Sequence, residues 1–289
     1  MNIVVIGGSG LVGQNILRSC EERGISATGT YRTAPDTGTN RELDKTDPVS
    51  VRELLQEIEP DAVVDTAAFH AVDDCESEQE RAWTVNAQGT KHVASAADAV
   101  GAQLIYLSTD YVYSGAPSDA PFSETDSVSP VNYYARTKYA GEQAAKIATE
   151  TTVLRPSVIY GLASSNFVTW AISELRAGNE ISIVDDQVST PTYARDLAQA
   201  ALAVADQNLT GVYNAAGPTR MSRYRFTRDL AASFGFNQDL ISPISTEEFG
   251  QEAPRPTDSS LDSSRISNNA DISFRSHSAV FDKLAEISQ

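Results

Sequence analysis

Tyr134 and Lys138 stand four residues apart in a stretch with helical periodicity, so both lie on one helix face and can reach the same ligand. A free phenol ionises near pH ~10, and a neighbouring ammonium favours the phenolate, which suits the pair to moving a proton to or from a carbonyl or alkoxide oxygen. Ser108-Thr109 adds two hydroxyls at the C-terminal end of an expected strand, Gln103–Leu107, where open α/β sheets hold their ligands. Near the start of the chain, Gly7-Gly8-Ser9-Gly10-Leu11-Val12-Gly13 separates the apolar run Asn2–Ile6 from an amphipathic helix. Gly7 permits a tight turn, Gly10 lets the backbone approach a diphosphate, and Gly13 allows close packing of helix on strand. The backbone N–H groups over Ser9, Leu11 and Val12 open the helix towards an anion. The spacing is Gly-x-x-Gly-x-x-Gly, and in this context it reads as a dinucleotide site.

The end of the second strand selects the dinucleotide. An acidic side chain there would bind a ribose 2′-hydroxyl and repel a 2′-phosphate, whereas a cation accepts the phosphate. The residues are Thr30-Tyr31-Arg32, which favours NADPH, with Arg32 as phosphate partner and Thr30 as a further donor; NADH stays open. Asp44, in Leu43-Asp44-Lys45, and Ala67-Ala68, after the strand Ala62–Asp65, lie where the adenine and the ribose-diphosphate would run.

These residues need a scaffold, and the hydrophobic pattern supplies one. Strand-length apolar runs at Asn2–Ile6, Ser26–Tyr31, Ala62–Asp65, Gln103–Leu107 and Thr152–Val158 alternate with helical periods at Leu11–Arg23, Pro48–Ile58, Glu78–Val100 and Asn132–Thr149. Such alternation predicts an α/β, Rossmann-type doubly wound parallel sheet with helices on both faces. Beyond Tyr160-Gly161 the rhythm loosens into a helix at Asn166–Arg176, a strand at Ile181–Val184, a helix at Tyr193–Ala205, a strand at Gly211–Ala215 and a helix from Arg223. A polar end follows, irregular over Glu252–Asn268. The expected division is a nucleotide-binding domain over 1–160 with returning elements near 190–217, and a smaller C-terminal substrate domain over about 161–189 and 218–289. The substrate would sit between them.

Composition closes off other functions. The 289 residues carry a formal charge of −17 and a pI near 4.5, so binding of nucleic acid through bulk charge is excluded, because that requires a basic face. Cys20 and Cys75 form no CxxC, and His70, His92 and His277 have no metal-ligand spacing; a disulfide scaffold and a metal site are not expected. No apolar run approaches the ~20 residues of a membrane span and Met1 runs straight into the first strand, which points to the cytoplasm and to no membrane partner. The cations are lopsided, with only Lys45, Lys91, Lys138, Lys146 and Lys283 among the lysines. That balance suggests salt adaptation, since at 1 M ionic strength a Debye length of about 3 Å screens the self-repulsion.

Taken with Ala67-Ala68-Phe69-His70-Ala71-Val72-Asp73, Leu107 through Gly115 (LSTDYVYSG), Tyr134 through Glu142 (YARTKYAGE), Leu154 through Gly161 (LRPSVIYG), Asp186 through Thr192 (DQVSTPT) and Arg255-Pro256, the chain resembles the extended short-chain dehydrogenase/reductases. Within them it is similar to the dTDP-4-dehydrorhamnose reductase family, over nearly its whole length. The resemblance implies NADPH-driven reduction of a 4-keto group on a nucleotide-activated 6-deoxy sugar, with catalytic Thr109, Tyr134 and Lys138. It further implies a sugar site shaped by Thr109, Asp110 and Tyr111, and Gln187 and Arg255 along the nucleotide half of the cleft. Tyr111 stands where related dehydratases need a glutamate, and Arg32 contradicts the acidic strand end of an NAD-retaining epimerase. The reading from a different class is a non-catalytic NADP-binding regulator similar to the beta subunit of methionine adenosyltransferase; retention of Thr109, Tyr134 and Lys138 favours an enzyme. A homodimer is the assembly left open.

Overall fold

The computed structural model describes residues 1–34, 38–162 and 166–287. Its centre is one sheet of seven strands: β1 (Asn2–Ile6), β2 (Ser26–Tyr31), β3 (Thr39–Glu42), β4 (Ala62–Asp65), β5 (Gln103–Leu107), β6 (Thr151–Arg155) and β7 (Gly211–Asn214). They lie in the order β7-β6-β5-β4-β1-β2-β3, and every neighbouring pair is parallel. The inner strands are nearly continuous apolar runs, and every residue of β4 and β5 is buried, because helices cover both faces.

On one face α1 (Leu11–Arg23) and α6 (Ala194–Asp206) bury Ile16, Leu17, Leu197 and Ala201 against Ile3, Val5, Val64 and Ile105. On the other, α2 (Pro48–Ile58), α3 (Gly89–Val100) and α4 (Tyr133–Ala145) enclose Val4, Ile6, Val63, Leu104 and Tyr106. Chain order reverses direction across the sheet between β1 and β4, which opens a crevice at their carboxyl ends, the usual place for a ligand in such sheets. The C-terminal elements α5 (Phe167–Ala177), α7 (Arg223–Phe234) and α8 (His277–Ile287) pack round Tyr160, Phe226 and Phe281, whose rings meet edge to face with centroids 4.9 to 5.6 Å apart.

Several elements differ from the sequence pattern. The helix expected over Glu78–Val100 is broken into Gln79–Trp83, a π-helical turn at Thr84–Gln88, and α3. β3 has the polar sequence TNRE at a sheet edge, where no apolar alternation marks it. The polar tail ends in α8, which buries Val280, Phe281 and Leu284 at helical spacing. β6 stops at Arg155, and Val158 beyond it takes a φ of +36°, a left-handed backbone that β-branched residues rarely adopt. Cys20 and Cys75 are buried free thiols, and no described helix is long and apolar enough to cross a membrane.

Candidate active site

The glycine turn is set by backbone geometry. Gly7 has a φ of +81°, and a Cβ there would lie 2.8 Å from Thr66 Oγ1; at Gly13 a Cβ would run into the Gly7 carbonyl. Gly7 O accepts from Gly10 N at 3.0 Å, and Gly10 caps α1 with no side-chain hydrogen bond, so the first N–H groups of the helix face the crevice. Thr30, expected as a donor to a phosphate, is buried and accepts from Gly7 N at 3.2 Å: its hydroxyl braces the turn. These features fit the diphosphate of a dinucleotide, since backbone, open N–H groups and small side chains are what such a group requires.

From this turn runs a cleft of about 930 Å³. It is lined by Gly7, Ser9, Gly10, Leu11 and Val12 from the turn, by Arg32 and Asp44 at one end, and by Ala67 and Ala68 after β4. Thr109, Asp110, Tyr111, Tyr134 and Lys138 line it further along. Burial raises the Asp44 carboxyl, but hydrogen bonds from Thr46 and the charge of Arg32 outweigh it and hold the group below the usual carboxylate range. Gln187 and Arg255 are not brought to the cleft. Gln187 donates to Thr246 Oγ1 at 2.9 Å and Gln251 Oε1 at 2.5 Å, while the nearly buried Arg255 pairs with Asp73 at 2.8 Å and donates to Ala253 O at 2.8 Å. A guanidinium folded into an acidic chain takes the nearest carboxylate, and here that contact stitches the C-terminal segment to the loop after β4.

Asn132 starts α4: its side chain accepts from Ala135 N at 2.8 Å and donates to Pro254 O at 2.9 Å. Tyr134 then falls in the first turn and Lys138 one turn later. The ring of Tyr134 meets Tyr111 edge to face at 6.3 Å, and its phenol shares the cleft with Thr109. Burial pushes the phenol well above its ordinary value, Asp110 pushes it further, and the neighbouring Thr109 hydroxyl opposes both only in part. The expectation that Lys138 acidifies the phenol is therefore not met in the free protein. Lys138 is buried, with Nζ 2.5 Å from the Leu107 carbonyl and 4.3 Å from the centroid of the Tyr106 ring. Burial, reinforced by Lys45, drives its amine down to about 7, against the attraction of Asp65 and Glu142.

Apart from Asp110, which the resemblance places at the sugar site, sequence reading missed the shell that holds these groups. Asp110 is buried and receives three hydroxyls: Thr109 at 3.0 Å, Ser157 at 2.7 Å and Ser259 at 2.5 Å. Burial still leaves its carboxyl above the ordinary value. Glu142, one turn past Lys138, holds Arg155 through two hydrogen bonds of 2.8 and 2.6 Å and accepts from Ser108 at 2.5 Å. Asn86, in the π-helical turn, accepts from Phe69 N at 2.8 Å and donates to Phe69 O at 3.0 Å and Thr137 Oγ1 at 2.9 Å, tying the loop after β4 to α4. Lys45 is buried against Asp65 at 2.5 Å and also donates to Ala67 O at 3.0 Å. The spacing of Glu142 from Lys138 carried a signal, since residues four apart share a helix face; Ser157 and Ser259 carried none.

A doubly wound sheet with a hydroxyl, a phenol and an amine gathered beside a glycine turn defines an NAD(P)-dependent oxidoreductase. Residues 1–288 match the family model described as the RmlD substrate binding domain. A dTDP-4-dehydrorhamnose reductase of Mycobacterium tuberculosis (strain ATCC 25618 / H37Rv) is 35% identical over 268 residues, covering 90% of this chain and 84% of the relative. A Haloferax volcanii protein named probable low-salt glycan biosynthesis reductase Agl14 is 31% identical over 274 residues, covering 92% and 91%. The crystal structure of a dTDP-4-dehydrorhamnose reductase from Bacillus anthracis in complex with NADP superposes with a TM-score of 0.90 at 29% identity, over 100% of both chains. The chain belongs to the RmlD family and is a nucleotide-sugar reductase.

Proposed function

We propose that this chain uses NADPH to reduce the 4-keto group of dTDP-4-dehydro-L-rhamnose, yielding dTDP-L-rhamnose. The observation that carries the reading is the gathering of Thr109, Tyr134 and Lys138 in the same cleft as the glycine turn. In this reading residues 1–160 with 190–217 hold the dinucleotide, and 161–189 with 218–289 hold the sugar nucleotide. Arg32 accepts the 2′-phosphate, and the turn over Gly7, Ser9, Gly10, Leu11 and Val12 takes the diphosphate. The reduced nicotinamide supplies the hydride when bound.

Everything else is the work of side chains. An acid must be protonated before it can donate, and the raised phenol of Tyr134 keeps its proton at neutral pH. Thr109, whose own hydrogen lies on Asp110, shares the cleft with Tyr134 and helps to seat the substrate carbonyl beside it. Tyr134 then passes its proton to the ketone oxygen as negative charge develops there. Lys138 binds the nicotinamide ribose and, being only partly protonated near neutrality, can return a proton towards the phenolate.

The test is loss of reduced nicotinamide absorbance with purified chain and dTDP-4-dehydro-L-rhamnose, using NADPH and NADH in parallel, from millimolar to molar KCl. Consumption of NADPH with matching formation of dTDP-L-rhamnose is expected, faster than with NADH. Turnover confined to other keto-sugar nucleotides would overturn the choice of sugar, and equal rates with NADH would overturn the role of Arg32.

A further inference from the structure

Four cations line the cleft among the described residues: Arg32, Lys45, Lys138 and Arg223. Arg32 stands beside Asp44 at the end of β2. Lys45 is neutralised by Asp65, and the ammonium of Lys138 is bound to the Leu107 carbonyl. Arg223 differs from all three. It is the first residue of α7, half-buried, in the wall formed with Asn166 and Phe167 by the C-terminal part of the chain. Its guanidinium lies over the Phe167 ring, 5.7 Å from the centroid, and no carboxylate of the described residues is within ion-pair distance. The carboxylates near it in the fold have other partners. Asp229 faces Arg225 and His277, and Asp185 accepts from Ser222 at 2.5 Å. The backbone is fixed as well: Ser222 caps the helix, and Arg223 N donates to the Gln187 carbonyl at 3.3 Å.

A half-buried guanidinium on the cleft wall that meets no carboxylate, in a protein of charge −17, is open to an anion that a ligand brings. Stacked on an aromatic face, a guanidinium keeps its N–H edge free for two parallel hydrogen bonds, the geometry that phosphate oxygens accept. We propose that Arg223 receives the diphosphate of the sugar nucleotide and so sets the depth at which the keto sugar lies beside Tyr134. This rests on the reading of the chain as a nucleotide-sugar reductase. It puts the phosphate contact on a residue of the cleft itself, whereas Arg255, which the resemblance places along the nucleotide half, is paired with Asp73.

The test uses the full chain and Arg223→Ala and Arg223→Lys variants, with dTDP, UDP and GDP as calorimetric probes at 1 M KCl, where long-range attraction is screened. NADPH affinity and the unfolding midpoint report that each variant is folded. The nucleoside diphosphate that binds wild type most tightly should lose about 10- to 100-fold in affinity in Arg223→Ala, the size expected for hydrogen bonds to a charged group, with partial recovery in Arg223→Lys. The matching nucleoside without phosphates should bind wild type and variant alike, and kcat/KM should fall chiefly through KM. Equal diphosphate affinity in wild type and Arg223→Ala would overturn this proposal alone, as would an equal loss of NADPH affinity, which would give Arg223 to the dinucleotide. Wild-type protein that binds none of the three diphosphates would overturn the functional reading together with it.

Discussion

The two walls of the cleft are made from different materials. The wall at the glycine turn is backbone: Gly7, Gly10 and Gly13 leave room, and Thr30 and Thr66 brace the turn through their hydroxyls. The wall carrying Thr109 and Tyr134 is a buried side-chain network, in which Asp110 gathers three hydroxyls and Glu142 clamps Arg155. The glycine turn itself is sensitive to volume, and charge enters the dinucleotide half through Arg32 at the end of β2. The second wall tolerates no loss of a partner, because an unpaired buried charge costs several kcal/mol. Seating a diphosphate can thus be left to backbone and shape, while handling a proton demands a polar interior held in one arrangement.

The contrast can be broken by substitution. The largest effect is expected from Tyr134→Phe, which should cut turnover by about 10²- to 10⁴-fold while nicotinamide-nucleotide affinity stays nearly constant. Turnover equal to wild type would remove the phenol from the acid's role. Glu142→Gln should lower unfolding free energy by about 3–5 kcal/mol in a denaturant titration, since it leaves Arg155 buried without its counter-charge. Gly13→Ala should cost about 1–3 kcal/mol through overpacking against the Gly7 carbonyl and weaken dinucleotide binding with it. If Gly13→Ala proves as damaging as Glu142→Gln, the distinction between the walls fails.

Two smaller effects sharpen it. Arg32→Glu should weaken NADPH binding by about 10-fold or more and NADH binding far less, measured by nucleotide titration; an unchanged ratio would mean another group reads the phosphate. The other effect concerns pH. Lys138 is held near 7 in the folded chain against an ordinary value of 10.5, so between those values the unfolded chain binds a proton that the folded chain lacks. Stability therefore rises with pH across that window, by up to about 1.4 kcal/mol per unit from this group. Lys138→Met should flatten the rise; a slope identical to wild type would show that Lys138 is charged in the folded protein.

What the sequence reveals follows the same division. Gly7 to Gly13 between NIVVI and an amphipathic helix is legible because local sterics dictate it, and β1, β2, β4 and β5 are legible as runs buried on both faces. Tyr134 and Lys138 are legible as a helix-face pair, but not their electrostatics: the Leu107 carbonyl that holds Lys138 is 31 residues away in sequence. The π-helical turn at Thr84–Gln88 escapes because periodicity sees a helix of average pitch, whereas the extra residue serves a contact between Asn86 and Phe69. Arg255 is placed along the nucleotide half by resemblance alone, and its pairing with Asp73, 182 residues away, has no signal in the sequence. Helix α8 hid because Ser276, His277 and Ser278 begin it in a polar neighbourhood, although Val280, Phe281 and Leu284 bear its periodicity.

The hydroxyls that converge on Asp110 have a consequence for the order in which the protein is made. Ser157 follows it by 47 residues and Ser259 by 149, so a chain growing from its N-terminus completes the glycine turn early and the carboxylate's surroundings last. One of the three hydroxyls that satisfy this buried carboxylate therefore comes from a segment synthesised 149 residues after it, and Asp110 lacks that partner until then.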